Sequence, residues 1–191
     1  MRLTSLPFYC LCLLLLTRCQ SPNAENQQPA PVAAAKITPP SSILTPFDQA
    51  LYWAEQGDAR LLPLCDSLMK SREAQTVAAA HYYLGIYAAE KKDTLTALRN
   101  FDQSIVADYT FLEAYIEKAA LLLSVGKPEQ AQAELQLLRE VAPTYPACHY
   151  WIAKVAEAQQ QASLAIQHYK LALSLDSSLV EARQALQRLQ K

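Results

Sequence analysis

The stretch that decides the fold is residues 112–145, LEAYIEKAALLLSVGKPEQAQAELQLLREVAPTY, because its pattern recurs in the segments directly before and after it, 78–111 and 146–179. Three series of positions recur at a constant interval of 34 residues. They are a small residue at Gly85, Ala119 and Ala153, an alanine at Ala97, Ala131 and Ala165, and a large apolar residue at Phe101, Leu135 and Tyr169. Each unit contains two helical runs separated by a break. The small residues allow close helix packing and the large ones fill the remaining space. The sequence therefore predicts an all-α fold of repeated helix pairs.

This repeat resembles the tetratricopeptide repeat family, whose unit is a helix–turn–helix of about 34 residues. The middle copy carries residues of the family pattern in the expected order: Tyr115, Ala119, Leu122, Gly126, Ala131 and Pro143. The flanking copies have Tyr109 and Ser177 in place of the terminal proline. The resemblance implies a superhelical solenoid of antiparallel helix pairs, closed by a C-terminal capping helix.

The repeats lie in the C-terminal part of a chain of 191 residues. We predict a signal peptide with a lipobox-like end (1–19), a disordered tether (20–44) and a tetratricopeptide-like repeat domain (45–191). The repeat domain is divided into a degenerate hairpin (45–72), three repeats (78–111, 112–145 and 146–179) and a capping helix (180–191). Thr45 can cap the first helix and Pro46 suits its first turn. Gly57 and Gly126 are expected in helix–helix turns, and Thr110 with Glu113 and Ser178 with Glu181 are expected to form capping boxes.

The predicted helices follow the same periodicity. Their expected spans are 47–56, 59–70, 73–91, 94–107, 112–125, 128–141, 146–160, 162–175 and 179–189. Pro63 stands where the repeat pattern calls for an alanine, so the first pair is classed as repeat-like. We expect it to cover the exposed face of the first full repeat, as terminal units of solenoids do.

The N-terminal segment 1–19, MRLTSLPFYCLCLLLLTRC, combines a basic start with an apolar run too short to span a bilayer. This composition predicts export. Leu16 and Cys19 have the spacing of a bacterial lipobox, although Arg18 replaces the usual small residue. The resemblance implies cleavage and attachment of fatty acyl chains, such as palmitate, to Cys19. An ordinary signal peptide or uncleaved membrane segment, with Cys19 incidental, is the alternative.

Residues 20–42 are rich in Pro, Ala, Gln, Asn and Ser, with almost no large apolar side chain before Ile37. Such a composition cannot bury enough surface to offset the entropy of ordering. We therefore predict a tether that holds the domain away from a membrane. The predicted location is the cell envelope, with the protein anchored to the outer membrane and facing the periplasm.

Residues suited to catalysis or metal binding are scattered. His81, His149 and His168 form no metal-binding motif, and we predict no metal and no cofactor. Glu90, Asp93, Glu113 and Glu117 are interpreted as solvent-facing or helix-capping carboxylates rather than acid–base pairs. Cys65 and Cys148 lie more than one repeat apart, which predicts two buried free thiols. An enzyme of unrecognised type remains the alternative to a non-enzymatic protein.

The family resemblance implies a concave groove lined by the first helices of successive repeats. The predicted partner-binding residues at its equivalent positions are Tyr82, Ile86, Ala89, Ile116, Ala120, Leu123, Tyr150, Lys154 and Glu157. The alternative is that some of these side chains pack against the next helix. The basic clamp with which some family members bind acidic C-terminal tails is replaced here by Tyr82, Ile86, Glu117, Ala147 and Trp151. We therefore expect an apolar or aromatic-bearing peptide or helix as partner.

The overall charge also bears on the partner. A formal net charge of −1 gives no sign of the basic surface that nucleic acids require. The sequence predicts an exported, monomeric, lipid-anchored scaffold that binds a protein or peptide in the cell envelope. An assembly factor for pili or outer-membrane proteins is the alternative within the same resemblance.

Overall fold

The computed structural model describes residues 45–190 as a run of α-helices joined by short turns. The helices are α1 Pro46–Glu55, α2 Leu61–Leu68, α3 Ala74–Glu90, α4 Thr94–Ala107, α5 Leu112–Ser124, α6 Pro128–Val141, α7 Pro146–Ala158, α8 Ala162–Leu175 and α9 Val180–Leu189. The predicted all-α fold is confirmed for these residues, and the predicted helix limits agree closely with the observed ones. The predicted signal peptide, Cys19 and the tether lie outside the described residues.

The three series that define the repeat form the core between paired helices. Ala97, Ala131 and Ala165 are fully buried. The large residues that follow them one turn later on the same helices are 0–1% exposed: Phe101, Leu135 and Tyr169. The pairs α3–α4, α5–α6 and α7–α8 each pack together, and each second helix also contacts the first helix of the next pair. Residues 45–190 therefore form a helical repeat solenoid that buries equivalent positions of successive helix pairs.

The turn inside each helix pair uses one left-handed residue. These residues are Gly57, Lys92, Gly126 and Gln160, with φ between 58° and 74°. The following N–H reaches back to a carbonyl in the last turn of the helix, as in the 2.9 Å bond from Lys127 N to Leu122 O. This pattern closes the C-terminal end of the first helix. The predicted turns at Gly57 and Gly126 are confirmed.

The helix cap at α1 agrees with the prediction, whereas the caps predicted at Thr110 and Ser178 do not. Thr45 and Asp48 form a capping box at α1, with the Asp48 N–H donating to Thr45 Oγ1 over 3.2 Å. The boxes predicted at Thr110 and Ser178 are wrong. Each hydroxyl instead donates over 2.7 Å to the aspartate that precedes it by two positions, Asp108 or Asp176. The nearby aspartate closes a tighter local turn and occupies the hydroxyl.

The first pair is shorter than predicted at α2. Asp58 accepts from the backbone N–H of Arg60 over 2.9 Å and also pairs with its guanidinium, so this segment is a turn. Helices α1 and α2 both contact α3 and share an apolar cluster with it. At the other end, Ala182 and Ala185 of α9 are buried against α7 and α8. In the part of the chain from Thr45 to Gln190, no helix combines the length and hydrophobicity needed to cross a bilayer.

Candidate functional site

The first helices of the three repeats contact one another in series, α3 against α5 and α5 against α7. We call the surface that they share the inner face. All nine predicted partner-binding residues lie on these helices. They do not all have the same surroundings, and only some of them line an open cleft.

A cleft of about 250 Å³ lies between α3 and α5. We call it the inner groove; its lining residues are Ile86, Ala89, Glu90, Phe101, Glu117, Ala120, Leu121 and Ser124. Three of these, Ile86, Ala89 and Ala120, belong to the predicted set. The groove is apolar except for two carboxylates and one hydroxyl.

Tyr82 and Tyr150 are held by internal aromatic contacts. The Tyr82 ring lies 5.2 Å from the Phe111 ring and 6.3 Å from the Phe101 ring, centroid to centroid. Tyr150 lies 5.8 Å from both Trp151 and Tyr169. Both tyrosines are half-buried. Their rings therefore contribute to the packing of their own repeats, which was the alternative interpretation of the sequence pattern.

Ile116 differs from the prediction of an exposed anchor. Its side chain is only 9% exposed and belongs to the core cluster around Ala119 and Leu135. The cluster includes buried residues of α6 and α7, among them Leu138 and Cys148, which explains this burial. Leu123 packs against the same cluster.

The third repeat uses its predicted groove residues differently. Glu157 accepts a hydrogen bond from the Tyr169 hydroxyl and forms an ion pair with Arg188 of α9. Its carboxylate therefore connects α7, α8 and α9. Lys154 is half-buried at the position equivalent to Ala120, so the third repeat accommodates a long cationic side chain there.

Glu117 was expected on a solvent face, and that prediction is wrong. The side chain is half-buried and lines the inner groove. Burial raises the pKa of Glu117, and the carboxylate of Glu55 on α1 raises it further. The repeat pattern could not show this, because the surroundings come from other helices. Glu90 and Glu113 are exposed, as expected.

A cleft of about 400 Å³ between α4 and α6 is larger, but its charges are already paired. The Lys118 ammonium lies 2.6 Å from a carboxylate oxygen of Asp102 and 2.6 Å from one of Glu134. Burial alone disfavours the charged ammonium, but the hydrogen bonds to these carboxylates outweigh it and raise the pKa of Lys118. Because this network holds α4, α5 and α6 together, we interpret it as structural.

The two histidines of the third repeat form a pair across α7 and α8. His149 Nε2 lies 2.9 Å from the carbonyl oxygen of Pro143, which can only accept, so this nitrogen carries the proton. The Nδ1 of neutral His149 then accepts from His168 Nδ1–H over 3.3 Å. In the first repeat the equivalent pair is His81 with Asn100. The repeat therefore places a polar contact at the same point of both helix pairs.

This pair predicts a loss of stability in mild acid. Burial lowers the pKa of His168, as do the neighbouring His149 and Arg139. The unfolded chain therefore takes up the proton more readily, and stability should fall as the pH drops below about 6.5 toward the lower folded-state pKa. We expect a lower Tm at pH ~5.5 than at pH ~7.5.

The variant that tests this prediction is His168→Asn, which copies the His81–Asn100 pair of the first repeat. It should flatten the change in Tm over this range. An unchanged slope would assign the pH dependence to other groups.

Cys65 and Cys148 are buried and unpaired, which confirms the prediction of free thiols. Burial raises the pKa of Cys65 to about 12 and that of Cys148 to about 11. Such thiols are poor nucleophiles at neutral pH. Between Thr45 and Gln190 no cluster of three or more His, Cys, Asp or Glu side chains is arranged to hold a metal ion.

Comparison with known proteins places this arrangement among helical repeats. No family model matches the chain. Anaphase-promoting complex subunit 3 of Schizosaccharomyces pombe is 27% identical over 93 residues, which cover 49% of this chain and 14% of that protein. Cell division cycle protein 27 homolog A of Arabidopsis thaliana is 30% identical over 100 residues, 52% of this chain and 14% of that protein. The chain thus spans about one seventh of the length of these relatives.

Solved structures match more of the chain. A chain of the crystal structure of the APC/C hetero-tetramer Cut9–Hcn1 superposes with a TM-score of 0.62 at 16% identity, covering 76% of this chain and 29% of that chain. The first tetratricopeptide repeat domain of Spaghetti (RPAP3), solved with the HSP90 peptide SRMEEVD, gives a TM-score of 0.58 at 16% identity, covering 61% and 94%. Residues 45–190 therefore have a tetratricopeptide-like fold.

Proposed function

We propose that this protein is a scaffold whose inner groove binds a segment of a partner protein. The observation that carries the proposal is the open apolar cleft between α3 and α5, where two successive repeats meet. Repeat solenoids bind partners on such extended inner surfaces. The structural neighbour solved with a peptide supports a peptide segment as the kind of occupant.

We also propose that the scaffold acts in a bacterial cell envelope as a monomer, anchored through a lipid on Cys19 to the outer membrane. The support is the sequence of residues 1–44. An apolar run ends at Leu16, Cys19 follows three residues later, and a polar, proline-rich segment comes next. A partner in the same compartment could then be recruited to the membrane surface.

The experiment is quantitative capture from detergent-solubilised membranes by the full chain and by Ala120→Lys. The long side chain should fill the inner groove and lower capture by about 10-fold or more, within the range of central interface substitutions. The equivalent Lys154 indicates that the fold tolerates this change. Helicity and Tm should therefore stay near the wild-type values.

The matched control is Ala133→Lys, which adds the same charge and volume at an exposed position of α6. It should capture as much partner as the wild type. Equal capture by Ala120→Lys and Ala133→Lys would reject the inner groove as the binding site.

A further inference from the structure

We propose that the inner groove selects a partner segment that presents a basic side chain, arginine or lysine, next to apolar ones, and that Glu117 receives the cation. This inference rests on the proposed function and specifies the chemistry of the occupant. It differs from the expectation of a purely apolar or aromatic anchor, because it assigns a role to a carboxylate within the groove.

The first support is the pairing of charges along α5. Glu117 and Lys118 are adjacent, yet Lys118 contacts two carboxylates whereas Glu117 takes part in none of the ion pairs formed between residues 45 and 190. A half-buried carboxylate loses hydration, and without a cation nothing offsets that loss. A cation supplied by a partner would provide the missing interaction.

The second support is the charge of the surroundings. The groove is lined by Glu90 as well as Glu117, and none of its lining residues is basic. Glu55 of α1 acts on Glu117, and both Glu113 and Glu117 act on the neighbouring Tyr82 hydroxyl. Carboxylates from three helices thus give this part of the inner face a negative potential, which complements a positive side chain.

The third support is the size and lining of the cleft. A volume of about 250 Å³ lies below the ~300–1,000 Å³ usual for small-molecule sites, so it suits one or two side chains rather than a cofactor. Ile86, Ala89, Ala120 and Leu121 offer apolar surface to the stem of such a side chain. Lysine and arginine bury their methylene stems on apolar surface while the charged end meets a polar group.

The test uses three short probes, Ac-Leu-Arg-Leu-NH2, Ac-Leu-Gln-Leu-NH2 and Ac-Leu-Glu-Leu-NH2, titrated into the full chain in detergent. Methyl NMR signals of Ile86, Ala89, Ala120 and Leu121 report binding. The arginine probe should bind about 5-fold or more tightly than the glutamine probe, corresponding to a partly buried ion pair. The glutamate probe should bind most weakly, and added salt should reduce the preference for arginine.

The decisive variant is Glu117→Gln, with Glu129→Gln as a control that removes one charge at an exposed position of α6. Glu117→Gln should reduce the ratio of arginine to glutamine affinities to about 1, whereas Glu129→Gln should leave it unchanged. Because the folded state disfavours ionised Glu117, the free Glu117→Gln protein should also have a Tm higher by about 1–3 °C. If Glu117 had only a structural role, its replacement would not both weaken arginine binding and stabilise the free protein.

Each result separates this inference from the proposed function. Equal affinities for the arginine and glutamine probes, or a preference that survives in Glu117→Gln, would overturn the role of Glu117. A lower Tm of Glu117→Gln would show that the carboxylate is already stabilised in the free protein and would also overturn it. If Ala120→Lys still lowers capture in those cases, the groove remains the binding site and only the basic preference fails.

Discussion

Replacing Tyr169 by alanine should lower the free energy of unfolding by about 3–5 kcal/mol, the cost typical of deleting a buried aromatic side chain. The Tyr169 side chain is fully buried and is the largest of the fully buried side chains between Thr45 and Gln190. Its buried neighbours in the cluster are all alanines: Ala153, Ala156, Ala165, Ala182 and Ala185. Alanines cannot extend into the space left by the ring, so relaxation should recover little of the loss.

Tyr169→Phe separates the volume of the ring from its hydrogen bond. It keeps the packing but removes the bond from the hydroxyl to Glu157. Glu157 still pairs with Arg188, so the expected loss is about 1–2 kcal/mol, as for a hydrogen bond to a charged group. Urea denaturation gives both free energies, and hydrogen exchange should show α9 opening first in Tyr169→Ala. Equal losses in the two variants would contradict the assignment of most of the energy to the ring.

The recurring core could be predicted from the sequence because each repeat buries the same positions by the same local geometry. The constant step of the repeat places Phe101, Leu135 and Tyr169 at equivalent points of three helix pairs, and all three are buried. The alanine series is buried for the same reason. Such positions depend on the unit itself and on its immediate neighbours.

The candidate site was less predictable because its environment differs from one repeat to the next. Ile116 matched Tyr82 and Tyr150 in register, but Ile116 is buried in a core cluster with residues of α6 and α7, whereas the two tyrosines are half-buried. Glu117 looked like an ordinary surface carboxylate, and its burial depends on residues contributed by α3 and α4. The pattern of a repeat cannot report what a particular neighbouring repeat contributes.

The turns before α5 and α9 show a similar limit to prediction from a sequence motif. Thr110 and Ser178 are each followed, three positions later, by a glutamate, which is the capping-box signature. Asp108 and Asp176 compete successfully for the same hydroxyls from the preceding turn. A motif search that begins at the threonine or serine therefore misses the residue that determines the local structure.

Gly85→Ala should destabilise the protein by about 1–2 kcal/mol, although alanine is the better helix former. A Cβ added at Gly85 would lie 2.5 Å from Cε1 and 2.6 Å from Cδ1 of Phe101. That ring is 1% exposed, so it has little room to move. The predicted overpacking cost of ~1–3 kcal/mol exceeds the gain of up to ~1 kcal/mol in helix propensity.

The second repeat provides the compensating change, because Ala119 and Leu135 occupy the equivalent positions there and both are buried. Adding Phe101→Leu to Gly85→Ala should therefore remove the clash and restore most of the lost stability. Phe101→Leu alone leaves space beside the glycine and should cost about 1 kcal/mol. A double-mutant cycle measured by denaturation should give a coupling of about 1–3 kcal/mol in favour of the matched pair. Additive losses would show that Gly85 is needed for a reason other than the Phe101 ring. Since Phe101 also lines the inner groove, the matched pair would test how far the groove depends on this packing.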